Sequence, residues 1–476
     1  MSEKEDFKLE ISQEKEVRIL TGKQIVIFNL PNIGFQAMFG LFQSFLLIFY
    51  INIMGQPPIV LGVLFSLAVY VYAIMNPIWG SISDNISTRF GRKKTVMLIM
   101  GPIMAISYIL IWLPPIPDTP YGVLNIPLIL NFTLFLYIFR VSIAGYQATY
   151  YSLLPEISTE ETNRIRISMV GMIMTVLGVA IAMLLPIFIM GDITEDLPPE
   201  NPDFFYPNSL IGQQIYQNAI LIGLFVTLIF ILSYALIFFG IKEPEKSIQE
   251  KRTARQLLKD LASPFKDKNY TLLLIALFFT WIPMMNLQYS LINYATLSLS
   301  LRGSEFLVFG VVLLMSAIIS FVIWDKVSKK IGLKKTMTIT MSLACLSYFL
   351  NIILLIPMEH VFLAAIGIIL LSLSLSALVG TMIFPLAIVS SIVDQKEFET
   401  GKSVSGAYMG SFNMVLSLGT GTATLLLSLF LQVLGENFGS SYIIIILFGS
   451  ILVVPGVLLF QRVKVKSSLN ANSESI

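Results

Sequence analysis

The strongest constraint in this sequence is a series of apolar runs, each long enough to cross a lipid bilayer as a helix. A span needs about 20 mostly apolar residues, because a helix rises about 1.5 Å per residue through a hydrocarbon layer about 30 Å thick. Only 13% of the 476 residues are charged, about half the share usual in soluble domains. The sequence therefore predicts an all-α polytopic membrane protein with twelve transmembrane helices. The runs lie at residues 24–53, 58–83, 95–113, 126–153, 165–190, 216–241, 270–299, 306–324, 336–356, 361–393, 405–434 and 442–460.

The positions of Lys and Arg predict how the chain is oriented. In a twelve-span topology, all but two of the 31 Lys and Arg residues fall on one side of the membrane, the exceptions being Arg140 and Arg302. Loops rich in Lys and Arg stay in the cytoplasm. We therefore expect both termini to be cytoplasmic, and we expect the plasma membrane as the location. The start of the chain shows no pattern of a cleaved signal peptide.

A charged stretch in the middle of the chain separates two sets of six runs. We expect the following division: a cytoplasmic N-terminal segment at 1–23, an N-terminal six-helix bundle at 24–241, a cytoplasmic linker at 242–269, a C-terminal six-helix bundle at 270–462 and a cytoplasmic tail at 463–476. Many secondary transporters are built from internal repeats of this kind.

A basic turn occurs once in each half. The stretches DNISTRFGRKKT at 84–95 and DKVSKKIGLKKT at 325–336 agree at Asp, Ser, Gly, Lys, Lys and Thr. An Asp at the end of a span can bind nearby basic groups and helix amino ends, and so close one face of the bundle as a conformational latch. The alternative is that the turns mark topology by their positive charge. The candidate latch residues are Asp84, Arg89, Arg92, Asp325 and Lys329.

Arg140 is the most unusual single residue, because it lies near the middle of the fourth run and no run contains an Asp or Glu to neutralise it. Ionisable groups at this depth are costly, so they face a cavity or a partner. A guanidinium offers five N–H donors to hydroxyls, carboxylates or phosphates, which favours a solute-binding role. The alternative is an arginine satisfied by helix carbonyls and amide side chains.

Other polar residues concentrate in the first, fourth, seventh and tenth runs. When twelve helices are taken as four groups of three, these runs are the first of each group. The pattern therefore predicts that one helix of each triplet lines a central cavity.

Several motifs resemble those of the major facilitator superfamily. The stretch at 80–93 (GSISDNISTRFGRK) resembles its loop signature between helices 2 and 3. Three further stretches, NPIWG at 76–80, YYSLLP at 150–155 and DQKEFETGKSVSG at 394–406, resemble the glycoside–pentoside–hexuronide:cation symporter branch, with melibiose permease and the related sucrose transporters. The resemblance implies two six-helix halves and alternating access to a central site.

The chain departs from that branch at the charged positions of the site. The two helix 2 carboxylates that serve the cation in melibiose-type members fall at Tyr72 and Asn76, and the sugar-contacting carboxylates of helices 1 and 4 fall at Gln36 and Gln147. The helix 11 lysine falls at Ser417. Amides and hydroxyls thus replace charges. They can still bind sugar hydroxyls, but they do not provide carboxylates for sodium or a titrating group for a proton.

Together these observations favour a carrier for a small polar solute, with a sugar or glycoside first and Na⁺ or H⁺ as candidate coupling ions. An organic anion or a lipid phosphate bound by Arg140 is the alternative solute, and a non-transporting receptor or scaffold is the alternative class. An enzyme ranks lower, because the runs contain no acid, base or metal cluster and the chain has one Cys and one His. We expect no cofactor, no metal, no nucleic-acid partner, a lipid bilayer around the chain, and a monomer. The candidate solute-binding residues are Arg140, Gln147, Gln36, Asn32, Tyr151, Tyr72, Asn76, Asn286, Tyr289, Asn293, Asn413 and Ser417.

Overall fold

The computed structural model of the protein describes most of the chain, and the part it describes is helical, without strands. Most of the predicted N-terminal segment, central linker and tail lies outside this part. The described residues are 19–86, 88, 91–158, 160–190, 206–241, 262–400, 405–436 and 438–464.

Twelve long helices follow the twelve apolar runs. By length and composition, eleven of the helices in the described part can cross a membrane, and in the fifth the described apolar stretch is Arg166–Ala182. The prediction of an all-α polytopic membrane protein is confirmed. The helices are α1 (Gly22–Ile53), α2 (Pro58–Asn85), α3 (Arg92–Trp112), α4 (Ile126–Ile157), α5 (Glu161–Met190), α6 (Leu210–Gly240), α7 (Lys268–Ser298), α8 (Gly303–Ile331), α9 (Leu333–Leu355), α10 (His360–Thr400), α11 (Ser405–Leu434) and α12 (Gly439–Arg462).

The backbone repeats in the two halves. The first helix of each half ends in a single π-helical turn, Phe49–Ile53 in α1 and Tyr294–Ser298 in α7. Such turns are rare and usually isolated within α-helices. Their occurrence at matching places supports a duplicated six-helix unit.

The basic turns also match in conformation. Gly91 has φ 101° and ψ 169°, and Gly332 has φ 85° and ψ 158°. Glycine adopts positive φ without the steric cost that a side chain adds. Four residues later, the Thr95 hydroxyl donates to the Gly91 carbonyl at 2.6 Å and the Thr336 hydroxyl donates to the Gly332 carbonyl at 2.8 Å. The repeated sequence therefore specifies the same entry into α3 and α9.

We call the end of the bundle that holds these two turns the basic-turn face, and the other end the opposite face. Amide pairs join the halves near the opposite face. Gln288 Nε2 donates to Gln43 Oε1 at 3.0 Å, and Asn293 Nδ2 donates to Asn52 Oδ1 at 2.9 Å. Both pairs lie in the later parts of α1 and α7, which run from the basic-turn face to the opposite face.

Helices α2 and α11 form the closest contact between the halves. The Tyr70 and Thr422 hydroxyls are 3.4 Å apart. Gly62 faces Ser428 so closely that a methyl group on Gly62 would lie 2.0 Å from the serine oxygen. These contacts lie in the first half of α2 and the last half of α11, again toward the opposite face.

Core packing differs between the two ends of the bundle. One large cluster of buried apolar side chains includes residues of both halves. A second cluster, which contains Tyr270, Trp324, Phe384, Tyr408 and Phe460, draws its members from the C-terminal half alone. It lies at the basic-turn face, where that half packs on itself. The amide pairs that join the halves lie at the other end, toward the opposite face.

Candidate functional site

Arg140 lies inside the bundle, near the middle of α4, where its side chain is 2% exposed. Its guanidinium carbon is 4.7 Å from the ring centroid of Phe42 on α1 and 4.9 Å from that of Phe65 on α2. A cation over an aromatic face gains about 0.5–2 kcal/mol, which offsets part of the cost of burying the charge. The aromatic faces hold the guanidinium at the junction of α1, α2 and α4.

Two nitrogens of the Arg140 guanidinium have no hydrogen-bond partner among the described residues. Its Nε and Nη2 are buried and find no acceptor among the described residues. Tyr72 on α2 and Tyr289 on α7 are close enough to interact with it electrostatically. Buried N–H groups are normally paired, so these donors are available to an acceptor other than the described residues.

Asn286 brings unpaired groups from the other half. It lies one turn before Tyr289 on α7 and is 2% exposed. Neither its side-chain oxygen nor its nitrogen has a partner in the described part of the chain. Leaving a buried polar group unsatisfied costs about 1–3 kcal/mol. Both halves therefore present unpaired polar groups, the arginine donors on α4 and the Asn286 amide on α7.

A polar track continues from Arg140 toward the basic-turn face. The Tyr72 hydroxyl donates to Gln147 Oε1 at 2.5 Å, and Asn76 Nδ2 lies 3.4 Å from the Tyr72 oxygen. Gln147 follows Arg140 by two turns of α4, and Tyr151, one turn further, is 55% exposed. Exposure thus increases along this face of α4, from the buried arginine toward the basic-turn face.

Two candidate amides are engaged in packing. Asn32 Nδ2 donates to the Tyr150 hydroxyl at 3.0 Å, within the N-terminal half. Asn293 belongs to the amide pair near the opposite face and also donates to the Tyr442 hydroxyl at 2.6 Å. Gln36 is half-buried beside Gly178 of α5. The structure brings none of these three to the Arg140 side chain through a contact that it describes.

The two candidates on α11 lie on the basic-turn side of the contact with α2. Asn413 is exposed, and its backbone carbonyl accepts a hydrogen bond of 2.9 Å from the Ser417 hydroxyl. Asn413 is thus accessible and Ser417 is half-buried, on a helix that packs against α2.

The basic turns differ in their side chains. In the second copy, Lys329 Nζ lies 2.6 Å from Asp325 Oδ2, one helical turn away, and both side chains are at least half exposed. In the first copy, Arg92 is 7% exposed, while the side chains of Asp84 and Arg89 lie outside the described residues. The latch hypothesis stays a prediction.

Sequence reasoning missed the aromatic support of Arg140. Phe42 and Phe65 are two of 34 phenylalanines in an apolar chain, and no spacing or composition distinguishes them from residues that face lipid. The described part of the chain contains no group of three His, Cys, Asp or Glu residues that could hold a metal ion.

Comparison with known families identifies the fold. Residues 27–441 match the profile of a family described as MFS/sugar transport protein. The chain belongs to this family. Its members include transporters, and the resemblance to the major facilitator superfamily is confirmed.

Relatives of this major facilitator protein carry different solutes. The chain is 24% identical over 311 residues to the mouse sodium-dependent lysophosphatidylcholine symporter 1, covering 63% of this chain and 58% of the relative. It is 20% identical over 321 residues to the isoprimeverose transporter of Lactiplantibacillus pentosus, covering 67% and 61%. It is 22% identical to the lactose permease of Leuconostoc lactis over 285 residues, covering 57% and 41%. The chain therefore spans about three-fifths or less of these relatives' lengths.

Solved structures agree with the fold of this family member. A mutant of the nucleoside transporter NupG superposes with a TM-score of 0.66 at 13% identity, covering 92% of this chain and 98% of that one. A bacterial homologue of the human lysosomal transporter Spinster superposes with a TM-score of 0.64 at 12% identity, covering 93% and 96%. The protein is an integral membrane protein with the architecture of these carriers.

Proposed function

We propose that this protein is a secondary transporter that moves a small polar solute, a sugar or glycoside, across the plasma membrane by alternating access. The family assignment and the relatives named for isoprimeverose and lactose support the transport class and the solute class. One structural observation carries the proposal: Arg140 is buried where the halves meet and holds two nitrogens without acceptors among the described residues.

The unpaired groups suit a hydroxyl-rich solute. A hydroxyl both donates and accepts. In our proposal Arg140 donates to a solute oxygen, and Asn286 offers an acceptor and a donor from the other half. Tyr72, Asn76 and Gln147 form the polar track by which the solute reaches Arg140, with Tyr151 at its exposed end. We include Tyr289 in the same site because it lies close enough to the arginine to interact with it electrostatically.

Transport requires that the two ends of the bundle open in turn. In this conformation the amide pairs Gln43–Gln288 and Asn52–Asn293 close the opposite face. In the second conformation these pairs separate, and the basic-turn face closes with the latch residues Asp84 and Asp325 engaged. We propose that a single chain is sufficient. Of the two candidate coupling ions, Na⁺ and H⁺, we favour Na⁺, because the twelve apolar runs contain no Asp or Glu that could carry a proton.

The decisive experiment measures uptake of a panel of labelled sugars by vesicles that contain the purified protein. We expect Arg140→Gln and Arg140→Lys to lower uptake about 10–100-fold, because a hydrogen bond from a charged donor contributes about 1.5–3 kcal/mol. Arg302→Gln is the matched control. Arg302 is the other arginine that lies outside the basic loops, and it is exposed directly before α8. Its replacement should leave uptake intact.

Normal uptake by an Arg140→Gln protein that inserts at the wild-type level would overturn the site assignment. Binding of a sugar without uptake by the wild-type protein would instead support the receptor class.

A further inference from the structure

The peripheral face of α8 is an apolar stripe that ends in lysines. Met315, Ile319 and Val322 are each about half exposed and lie on one side of the helix. At the same helical spacing, the stripe continues into Lys326 and Lys330, which are also exposed. Residues three and four apart share a helix face, so these two lysines lie where the lipid-facing surface ends.

The neighbouring helix repeats this arrangement. On α9, Phe349, Leu346 and Ile339 are 55%, 52% and 46% exposed. Lys335, four residues before Ile339, is exposed in line with them. Because α8 and α9 are joined by the basic turn at Gly332, the three lysines form one cationic edge at the boundary between apolar surface and water.

No acidic residue next to Lys326, Lys330 and Lys335 in the sequence is left to neutralise them. Asp325 is the one acid between Trp324 and Thr336, and it pairs with Lys329. Lys334 donates to the Gln461 carbonyl at 2.9 Å. Lys326, Lys330 and Lys335 form no ion pair or hydrogen bond with any residue that the structure describes.

The first basic turn uses its lysines differently, although its sequence is similar. Lys93 and Lys94 are 4% and 6% exposed. Lys93 Nζ donates to the Ser152 carbonyl at 2.5 Å, and Lys94 Nζ donates to the Ile241 carbonyl after α6. These lysines stabilise carbonyls of their own half, as cations near helix carboxyl ends generally do. Among the described residues, Lys335 of the second copy is thus exposed where its counterpart Lys94 is buried.

We propose that Lys326, Lys330 and Lys335 form a binding surface for anionic phospholipid, with headgroup phosphates on the ammonium groups and acyl chains along the apolar stripes of α8 and α9. On each of these helix faces an apolar stripe is followed by a cationic end. This order matches the acyl chains and the charged headgroup of a phospholipid. A basic residue near an anionic membrane surface favours binding by about fivefold. Three lysines together should enrich anionic lipid about 100-fold over zwitterionic lipid.

The test compares phosphatidylglycerol with phosphatidylcholine of the same acyl chains, bound to the full-length protein in mixed micelles and counted by native mass spectrometry. The wild-type protein should retain phosphatidylglycerol in preference, and the preference should fall as salt is raised, because exposed charges are screened. The variant with Lys326→Gln, Lys330→Gln and Lys335→Gln should lose most of the preference.

A second triple variant, Lys266→Gln, Lys268→Gln and Lys464→Gln, removes equal charge from exposed sites of the same half and face that do not continue a lipid-facing stripe. It should keep the preference. Equal losses in both triple variants, or none in the first, would overturn the proposal. Displacement of phosphatidylglycerol by millimolar glycerol 3-phosphate would assign the lysines to a soluble phosphate instead.

Discussion

A buried amide has different consequences depending on whether it is paired. Asn32 and Asn286 are both polar residues of membrane helices, and both are buried. Asn32 bonds the Tyr150 hydroxyl, whereas the side chain of Asn286 finds no partner in the described part of the chain. The first contributes to the stability of its half, whereas the second reduces stability and, in our proposal, stays available to a solute.

Replacing each amide by leucine should therefore have opposite effects. We expect Asn32→Leu to lower the free energy of unfolding by about 1–3 kcal/mol, because it leaves a buried hydroxyl with one bond fewer. Asn286→Leu should leave stability equal or higher and should raise the KM of sugar uptake. Thermal unfolding in detergent and uptake in vesicles measure the two effects. Similar destabilisation by both variants would show that Asn286 is a packing residue.

The sequence predicted the depth of Arg140 but not its surroundings. Apolar runs and one central charge place the arginine near the middle of a span. By contrast, the bond between Asn32 and Tyr150 joins residues 118 positions apart, and the contacts with Phe42 and Phe65 come from two other helices. Which polar residues are paired depends on helix rotation and packing, which hydropathy does not encode.

Among the helices, α2 contains two glycines in contrasting settings. A methyl group on Gly62 would lie 2.0 Å from Ser428 Oγ and 2.2 Å from its Cβ, across the contact with α11. A methyl group on Gly80 would meet nothing within 4 Å. Both positions are helical, so the same substitution changes helix propensity equally at the two sites.

Gly62→Ala should shift the protein away from the conformation described here, because the added methyl group prevents α2 and α11 from closing the opposite face. Gly80→Ala should not. The measurement is labelling of a cysteine at Gln288, in a Cys345→Ser background, by a membrane-impermeant thiol reagent added at the opposite face. We expect faster labelling in the Gly62→Ala protein. Equal labelling of the two alanine variants would show that this contact does not control opening.

The extent of each helix was less predictable than its existence. The run at 361–393 predicted a span, and α10 extends from His360 to Thr400, because its polar end continues beyond the apolar stretch and hydropathy does not detect it. The π-helical turns of α1 and α7 were not predicted either, because they change backbone hydrogen bonding within an apolar run without changing its composition.

At the scale of the whole molecule, the described polar groups that join the halves and line the proposed path are uncharged apart from Arg140. Amide pairs close the opposite face, and the twelve apolar runs contain no Asp or Glu. Movement of the halves therefore does not require a carboxylate to gain or lose a proton within the membrane. A Na⁺ ion, if it accompanies the solute, has to be bound by neutral oxygens.

A proton gradient should consequently fail to drive uptake. The single histidine, His360, is exposed at the opposite face, with Nε2 3.6 Å from Glu305 Oε2. Between pH 6 and 8 we expect sugar uptake to change by less than about twofold, with His360→Gln behaving like the wild-type protein. Uptake in vesicles with an imposed pH gradient, compared with an imposed Na⁺ gradient, measures this directly. Accumulation of sugar against its own gradient when only the pH gradient is present would show that a titrating group couples to transport, and His360 would then be the first residue to test.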